Sequence, residues 1–183
     1  MEILIVPGVI ALIVLFLIAQ YNRLIRLNIG VDEAYAQIEV QLKRRSDLIP
    51  NLVEAVKGYA KHEQSTFDAV VTARAKATSA STVADTASAD GMLTQALRGL
   101  LAVAEAYPDL KASANFISLQ EELATTENKV AFSRQFYNDN VRSLNTAVKT
   151  VPTNFFAGFA KVEEREFYEV DDPQDRKAPQ VTF

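Results

Sequence analysis

The sequence predicts an all-α protein, an N-terminal transmembrane helix followed by a long antiparallel helical bundle of the four-helix type. Three observations carry this. The stretch from Ile3 to Ala19 is apolar throughout. The 183 residues include 49% hydrophobic side chains but only 6 Gly and 6 Pro and no Trp, a composition poor in turn makers that argues against a β-sandwich or a Gly-rich phosphate-binding α/β fold. Beyond the apolar stretch, long windows without proline place apolar residues at three- and four-residue steps, the repeat of one helix face.

The first element is the anchor. About seventeen apolar residues at about 1.5 Å rise each approach the thickness of a bilayer core. A soluble helix keeps a polar stripe, whereas this one is apolar around its circumference. Pro7 and Gly8 lie near its start, where few carbonyls lose a partner, and membrane helices tolerate both. A cleaved signal peptide requires a basic start and small residues before the cut. Here Glu2 precedes the run and Phe16, Leu17 and Ile18 precede Ala19, and the absence of Cys excludes a lipoprotein anchor. Arg23 and Arg26, then Lys43, Arg44 and Arg45, follow the span. The positive-inside rule therefore expects a single-pass membrane protein, its short N-terminus outside and its bundle in the cytoplasm. The expected organisation is an anchor over residues 1–22, a helical bundle over 23–151 and an aromatic, then acidic, segment over 152–183.

In the bundle, one stripe runs through Tyr35, Ile38, Leu42, Ile49, Leu52, Val53, Val56, Ala60, Phe67, Val70 and Val71. It passes through Pro50, which either kinks one long helix at the carbonyl of Ser46 or opens a new helix capped by Ser46 or Asp47; the unbroken stripe favours the kink. Residues 75–90 are small and polar and read as a surface connection. A short third helix follows, with Met92, Leu93, Ala96, Leu97, Leu100, Leu101, Val103 and Ala104 inward, ending at the turn Tyr107-Pro108-Asp109. The fourth helix spans Ser113 to Val148, with Phe116, Leu119, Leu123, Val130, Tyr137, Val141, Leu144 and Val148 on its apolar face. Past Pro152 the periodicity ends. Phe155, Phe156 and Phe159 either cap one end of the bundle or form a docking patch for a partner or the bilayer surface. The acidic end from Asp171 is expected to be disordered.

Charge and composition remove several functions. Nineteen Lys and Arg against 23 Asp and Glu give a net charge of -4, too balanced for a nucleic-acid binder. With Cys at 0 and His at 1, neither thiolate chemistry nor a multi-histidine metal site is available. A ferritin-like carboxylate site needs Glu-x-x-His motifs, and His62 belongs to none. No cofactor is called for. The polar residues that fall on or beside apolar stripes are Arg45, Glu127 and Arg134. Charges inside a bundle must be paired, so the expectation is an ion pair from Glu127 to Arg45 or Arg44, with Asn51, Asn128 and Asn138 hydrogen-bonding nearby. Such a network fixes register or, alternatively, lines a ligand site.

The segment Gln41-Leu42-Lys43-Arg44-Arg45-Ser46-Asp47-Leu48-Ile49-Pro50-Asn51-Leu52-Val53, with Val56-Lys57-Gly58-Tyr59-Ala60 and His62-Glu63, resembles the hallmark stretch of the bacterial LemA family. So do Glu105 to Lys111, Leu119-Gln120 with Glu122-Leu123 and Glu127-Asn128, and Phe136-Tyr137-Asn138 leading to Val141, Asn145 and Pro152; Leu144 departs, standing where relatives often carry Tyr. The resemblance implies an N-terminal anchor, a short external N-terminus and a helical-bundle domain, and it supplies no reaction. It also implies a weak association with membrane organisation, including organelle formation in magnetotactic bacteria, and with neighbouring membrane proteins. The functional expectation is a non-enzymatic scaffold or membrane-organising component. Its contacts are the bilayer through residues 3–19 and a protein partner or a second copy of itself. The alternatives are a module sensing a ligand or peptide in an interhelical groove and, last, an enzyme with a carboxylate-only site.

Overall fold

The computed structural model describes residues 2–170, with side chains from Val6 onward. Among these residues there are six helices and no strand: α1 (Glu2–Lys57), α2 (Gln64–Ser79), α3 (Val83–Glu105), α4 (Pro108–Lys111), α5 (Ala114–Lys149) and α6 (Asn154–Ala160). Packing divides the chain into an anchor-bearing unit, Met1–Ile38 with Ser133–Phe167, and a core unit, Glu39–Phe132 with Tyr168–Phe183. The expected disorder from Asp171 onward falls outside the described residues.

α1 carries the apolar run and the first bundle segment as one helix of 56 residues. The change from anchor to packed segment is one of surface, not of secondary structure. From Val6 to Ile18 every side chain is exposed, and the first buried one is Leu24. α1 is the one helix among the described residues long and apolar enough to cross a membrane. In the anchor-bearing unit, Leu24, Val31, Ala34 and Ile38 of α1 pack with Tyr137, Val141, Leu144 and Ala147 of α5, at the spacing that puts each set on one helix face. The two helices run antiparallel. Gly30 permits their approach, since a Cβ there would stand 3.2 Å from Asn140 Oδ1.

In the core unit four helical segments alternate in direction around one apolar cluster. Ile49, Leu52, Val53 and Val56 of α1 meet Phe67 and Val70 of α2, Leu93, Leu97 and Leu100 of α3, Leu110 of α4, and Phe116 and Leu123 of α5. Each such side chain contributes about 1.5–3 kcal/mol when fully removed from water, which makes this cluster the main source of stability. α1 passes through Pro50 as helix, the favoured of the two sequence readings. Proline has no N–H to give the carbonyl of Ser46. Arg74 of α2 supplies the missing donor instead, its Nε standing 3.0 Å from that oxygen.

Three boundaries differ from the sequence reading. The stripe from Ile49 to Val71 belongs to two helices, because the chain turns at residues 58–63 and Ala60 stays buried within that turn. Residues 75–90 are not one surface connection: α2 runs to Ser79, and α3 starts at Val83, capped by the Thr82 hydroxyl accepting from the Asp85 N–H. Alanine suits a helix interior, and small side chains such as Ala87 and Ala89 are buried where a neighbour comes close. The third helix is therefore 23 residues long rather than short. After Pro152 the chain is not aperiodic at once, since Asn154–Ala160 forms α6, closed by Lys161 in the left-handed conformation (φ 51°).

Candidate functional site

One turn beyond the apolar cluster, the core unit buries a charge. Arg45 is 0% exposed, the largest of the fully buried side chains, although it occupies a position on the apolar face of α1. Its Nη1 donates to Asp90 Oδ1 at 2.5 Å, and its Nη2 pairs with Glu127 Oε1 at 2.5 Å and donates to Thr94 Oγ1 at 2.9 Å. Asp90 is also buried, and its second oxygen accepts from the Tyr168 hydroxyl at 3.0 Å. The Thr94 hydroxyl donates to the Asp90 carbonyl, completing the loop within α3. Two carboxylates from α3 and α5 thus hold one guanidinium from α1, with the C-terminal segment pinned to the same point by Tyr168. Only Arg45 Nε, within the buried guanidinium, lacks a partner.

The predicted residues distribute as follows. Arg45 and Glu127 meet. Arg44, one residue before Arg45 and about 100° around the helix, points outward and pairs with Glu122 at 3.2 Å. Asn51 and Asn128 face solvent, and the expectation that they hydrogen-bond near the ion pair is corrected: Asn128 is rotated away from Glu127, and Asn51 falls on another face from Arg45. Arg134 and Asn138 belong to the other unit, where both are half-buried. Of the phenylalanines, Phe155 and Phe159 are 68% and 87% exposed and lie one turn apart on α6, whereas Phe156 is half-buried and turns away from them. The sequence reading missed Asp90, Thr94, Tyr168 and Arg74. For Asp90 a signal existed, because it stands three and seven residues before Leu93 and Leu97, on the buried stripe of α3.

Beside the network, α1, α2 and α3 enclose a cleft of about 360 Å³ whose lining includes Glu39, Lys43, Ser46, Arg74, Thr86 and Asp90. Lys43 is drawn to Asp47 at 3.4 Å, and Arg74 gives its Nε to the Ser46 carbonyl. Chemically the site holds one guanidinium between two carboxylates. A guanidinium does not exchange protons at physiological pH, and the carboxylates beside it are already engaged. No group of three or more His, Cys, Asp or Glu able to hold a metal occurs among the described residues. His62 is exposed in the turn after α1.

In the anchor-bearing unit, the irregular segment after α6 is tied back onto the helices. The Asn145 side chain accepts from the Arg165 N–H and donates to its carbonyl, both at 2.9 Å. Arg165 reaches Asp32 at 2.7 Å, and the Tyr137 hydroxyl donates to the Glu166 carbonyl at 2.9 Å. Burial raises the Tyr137 phenol above its ordinary value of 10.0, with Arg165 opposing.

The chain is 23% identical to the magnetosome protein MamQ of Magnetospirillum gryphiswaldense over 176 residues, 80% of this chain and 65% of that protein. It is 23% identical to the magnetosome protein MamQ 2 of Paramagnetospirillum magneticum over 84% of this chain and 66% of the relative. It is 27% identical to protein LemA of Metamycoplasma hominis over 76% of this chain and 64% of the relative. It therefore spans just under two thirds of the length of each. The model of the LemA family matches residues 34–183, which take in Arg45, Asp90, Glu127 and Tyr168, and the chain belongs to that family.

Proposed function

We propose that this protein is a single-pass, membrane-anchored helical bundle that works by contact with other molecules, as a scaffold or membrane-organising component, and catalyses no reaction. The observation that carries the proposal is the continuity of α1, in which an exposed apolar segment passes without a break into a packed one. A helix exposed from Val6 to Ile18 on all sides has apolar surface that lipid would cover. The relatives named as magnetosome proteins are consistent with a role at a membrane. The buried Arg45 network serves register in this reading, selecting one pairing of α1, α3 and α5. Arg23 and Arg26, both exposed, favour the bundle in the cytoplasm. Crosslinking in intact membranes is expected to capture a membrane protein or a second copy; recovery of the monomer alone, where known neighbours are trapped, overturns the scaffold. Digestion of the bundle by protease added to spheroplasts overturns the orientation.

A second reading rests on the cleft. Its hydroxyls, Arg74 and Asp90 suit a small charged ligand or a peptide end. Stabilisation of the purified protein by such a compound, lost in Arg74→Met, would move the function from scaffold to sensor.

A further inference from the structure

α6 and the turn that leads into it carry exposed apolar side chains. Val151, Phe155 and Phe159 are 70%, 68% and 87% exposed, more than any other large apolar side chains among the described residues of this unit outside the anchor. Their level along α1 follows from register. α1 and α5 are antiparallel, with Gly30 against Asn140 and the Tyr35 and Tyr137 rings 5.7 Å apart. At about 1.5 Å per residue, Lys149 stands about 14 Å beyond Asn140, which is level with Tyr21. The loop that holds α6 closes there, since Lys149 pairs with Glu164 at 2.7 Å. α6 is therefore an excursion at the height where the apolar run of α1 ends.

We propose that α6 is a second membrane contact, lying in the headgroup region of the same leaflet from which α1 emerges and placing Val151, Phe155 and Phe159 among the upper acyl chains. The surroundings fit a lipid surface. Tyr21 is exposed at that height, as in an interfacial aromatic belt. Arg23 and Arg26 on α1 and Lys161 at the end of α6 are exposed cations without a carboxylate partner among the described residues, complementary to anionic headgroups. Of the nearby acidic residues, Glu164 is neutralised by Lys149 and Asp32, farther along α1, by Arg165, while Glu163 is exposed beside Lys161. Phe155 and Phe159, four residues apart, present one apolar edge, while Val162 and Thr153 on the other side are buried in the protein. Two contacts fix the tilt of the anchor, where one would leave it free to pivot.

This inference rests on the membrane reading of α1, and the test separates the two. The chain has no Trp, so each of Leu15→Trp, Phe159→Trp and Phe136→Trp carries one fluorophore. The full-length variants are reconstituted into phosphatidylcholine–phosphatidylglycerol vesicles containing brominated lipids. Leu15→Trp, in the span, is expected to be quenched. Phe159→Trp should emit at shorter wavelength and be quenched about twofold or more relative to Phe136→Trp, an exposed site of the same unit about 20 Å back along α5. Quenching of Leu15→Trp with Phe159→Trp no different from Phe136→Trp overturns the α6 contact and leaves the anchor standing. Shielding of Phe159→Trp from aqueous acrylamide without quenching by bromolipid assigns that face to a protein and also overturns it. Failure of Leu15→Trp to be quenched removes both readings.

Discussion

The two units spend their polar groups differently. In the core unit the ion pair is buried, a guanidinium and a carboxylate both out of reach of water, one turn beyond the apolar cluster on α1 and α3. In the anchor-bearing unit the middle is apolar. There the polar bonds lie at the edge, where Asn145, Tyr137 and Asp32 hold an irregular strap against two helices. A buried ion pair is a poor source of net stability but a severe penalty when half is removed. A rim of hydrogen bonds gives small, separable contributions. The core unit should accordingly fail as a whole, and the other should loosen piece by piece.

The largest expected effect is at Arg45. Arg45→Met strands Asp90 in the core and should cost about 3–5 kcal/mol, read as a lowered midpoint in urea unfolding. Asp90→Asn should cost less, because Glu127 still compensates the guanidinium, and Glu127→Gln least, because its carboxylate is 34% exposed. Replacing the set together, Arg45→Met with Asp90→Leu and Glu127→Gln, should recover most of the loss. A triple variant as unstable as Arg45→Met would show that the network attracts more than it costs, and would close the gap between the two units.

Next is the strap. Asn145→Ala removes two hydrogen bonds to the Arg165 backbone, worth about 1–2 kcal/mol together. The measurement is proteolysis within residues 161–167, which should rise while the urea midpoint of the core moves little. Equal loss of both would mean that the strap and core unfold as one.

Much of this division was legible in the sequence, and what was not has physical reasons. The inward face of α5 follows from its spacing alone, Phe116 through Leu144, because a long helix repeats its period many times. Arg45 and Glu127 stand out as polar residues at apolar positions. Asp90 was hidden by its neighbours: Ala-Ser-Ala-Asp-Gly reads as linker, and only the distance to Leu93 and Leu97 places it on a buried face. Tyr168 follows no period, since it joins the network from irregular chain. Nor does local sequence reveal that Arg74 completes the carbonyl left open by Pro50, 24 positions earlier, because that bond exists only after α2 has folded back on α1. The aromatic patch was half legible: three phenylalanines in five residues mark a surface, but only the helical turn separates Phe155 and Phe159 from Phe156.

Tyr137 gives the smallest effect and the sharpest comparison, because its signature depends on pH. Its folded pKa is raised, so the native state holds the phenolic proton more firmly than the unfolded chain. That contribution is complete below the ordinary value of 10.0 and is lost as pH rises through the folded value. Stability should therefore fall as pH passes 10.0, beyond any general alkaline decline, and Tyr137→Phe should remove that part of the slope. At neutral pH the same variant loses the bond to the Glu166 carbonyl, about 1 kcal/mol, offset in part because the phenylalanine ring has no hydroxyl to desolvate. Urea midpoints at neutral and alkaline pH give both numbers. The same slope in the variant as in the wild type would assign the alkaline sensitivity to other groups and leave Tyr137 as a packing residue that ties the strap by one neutral bond.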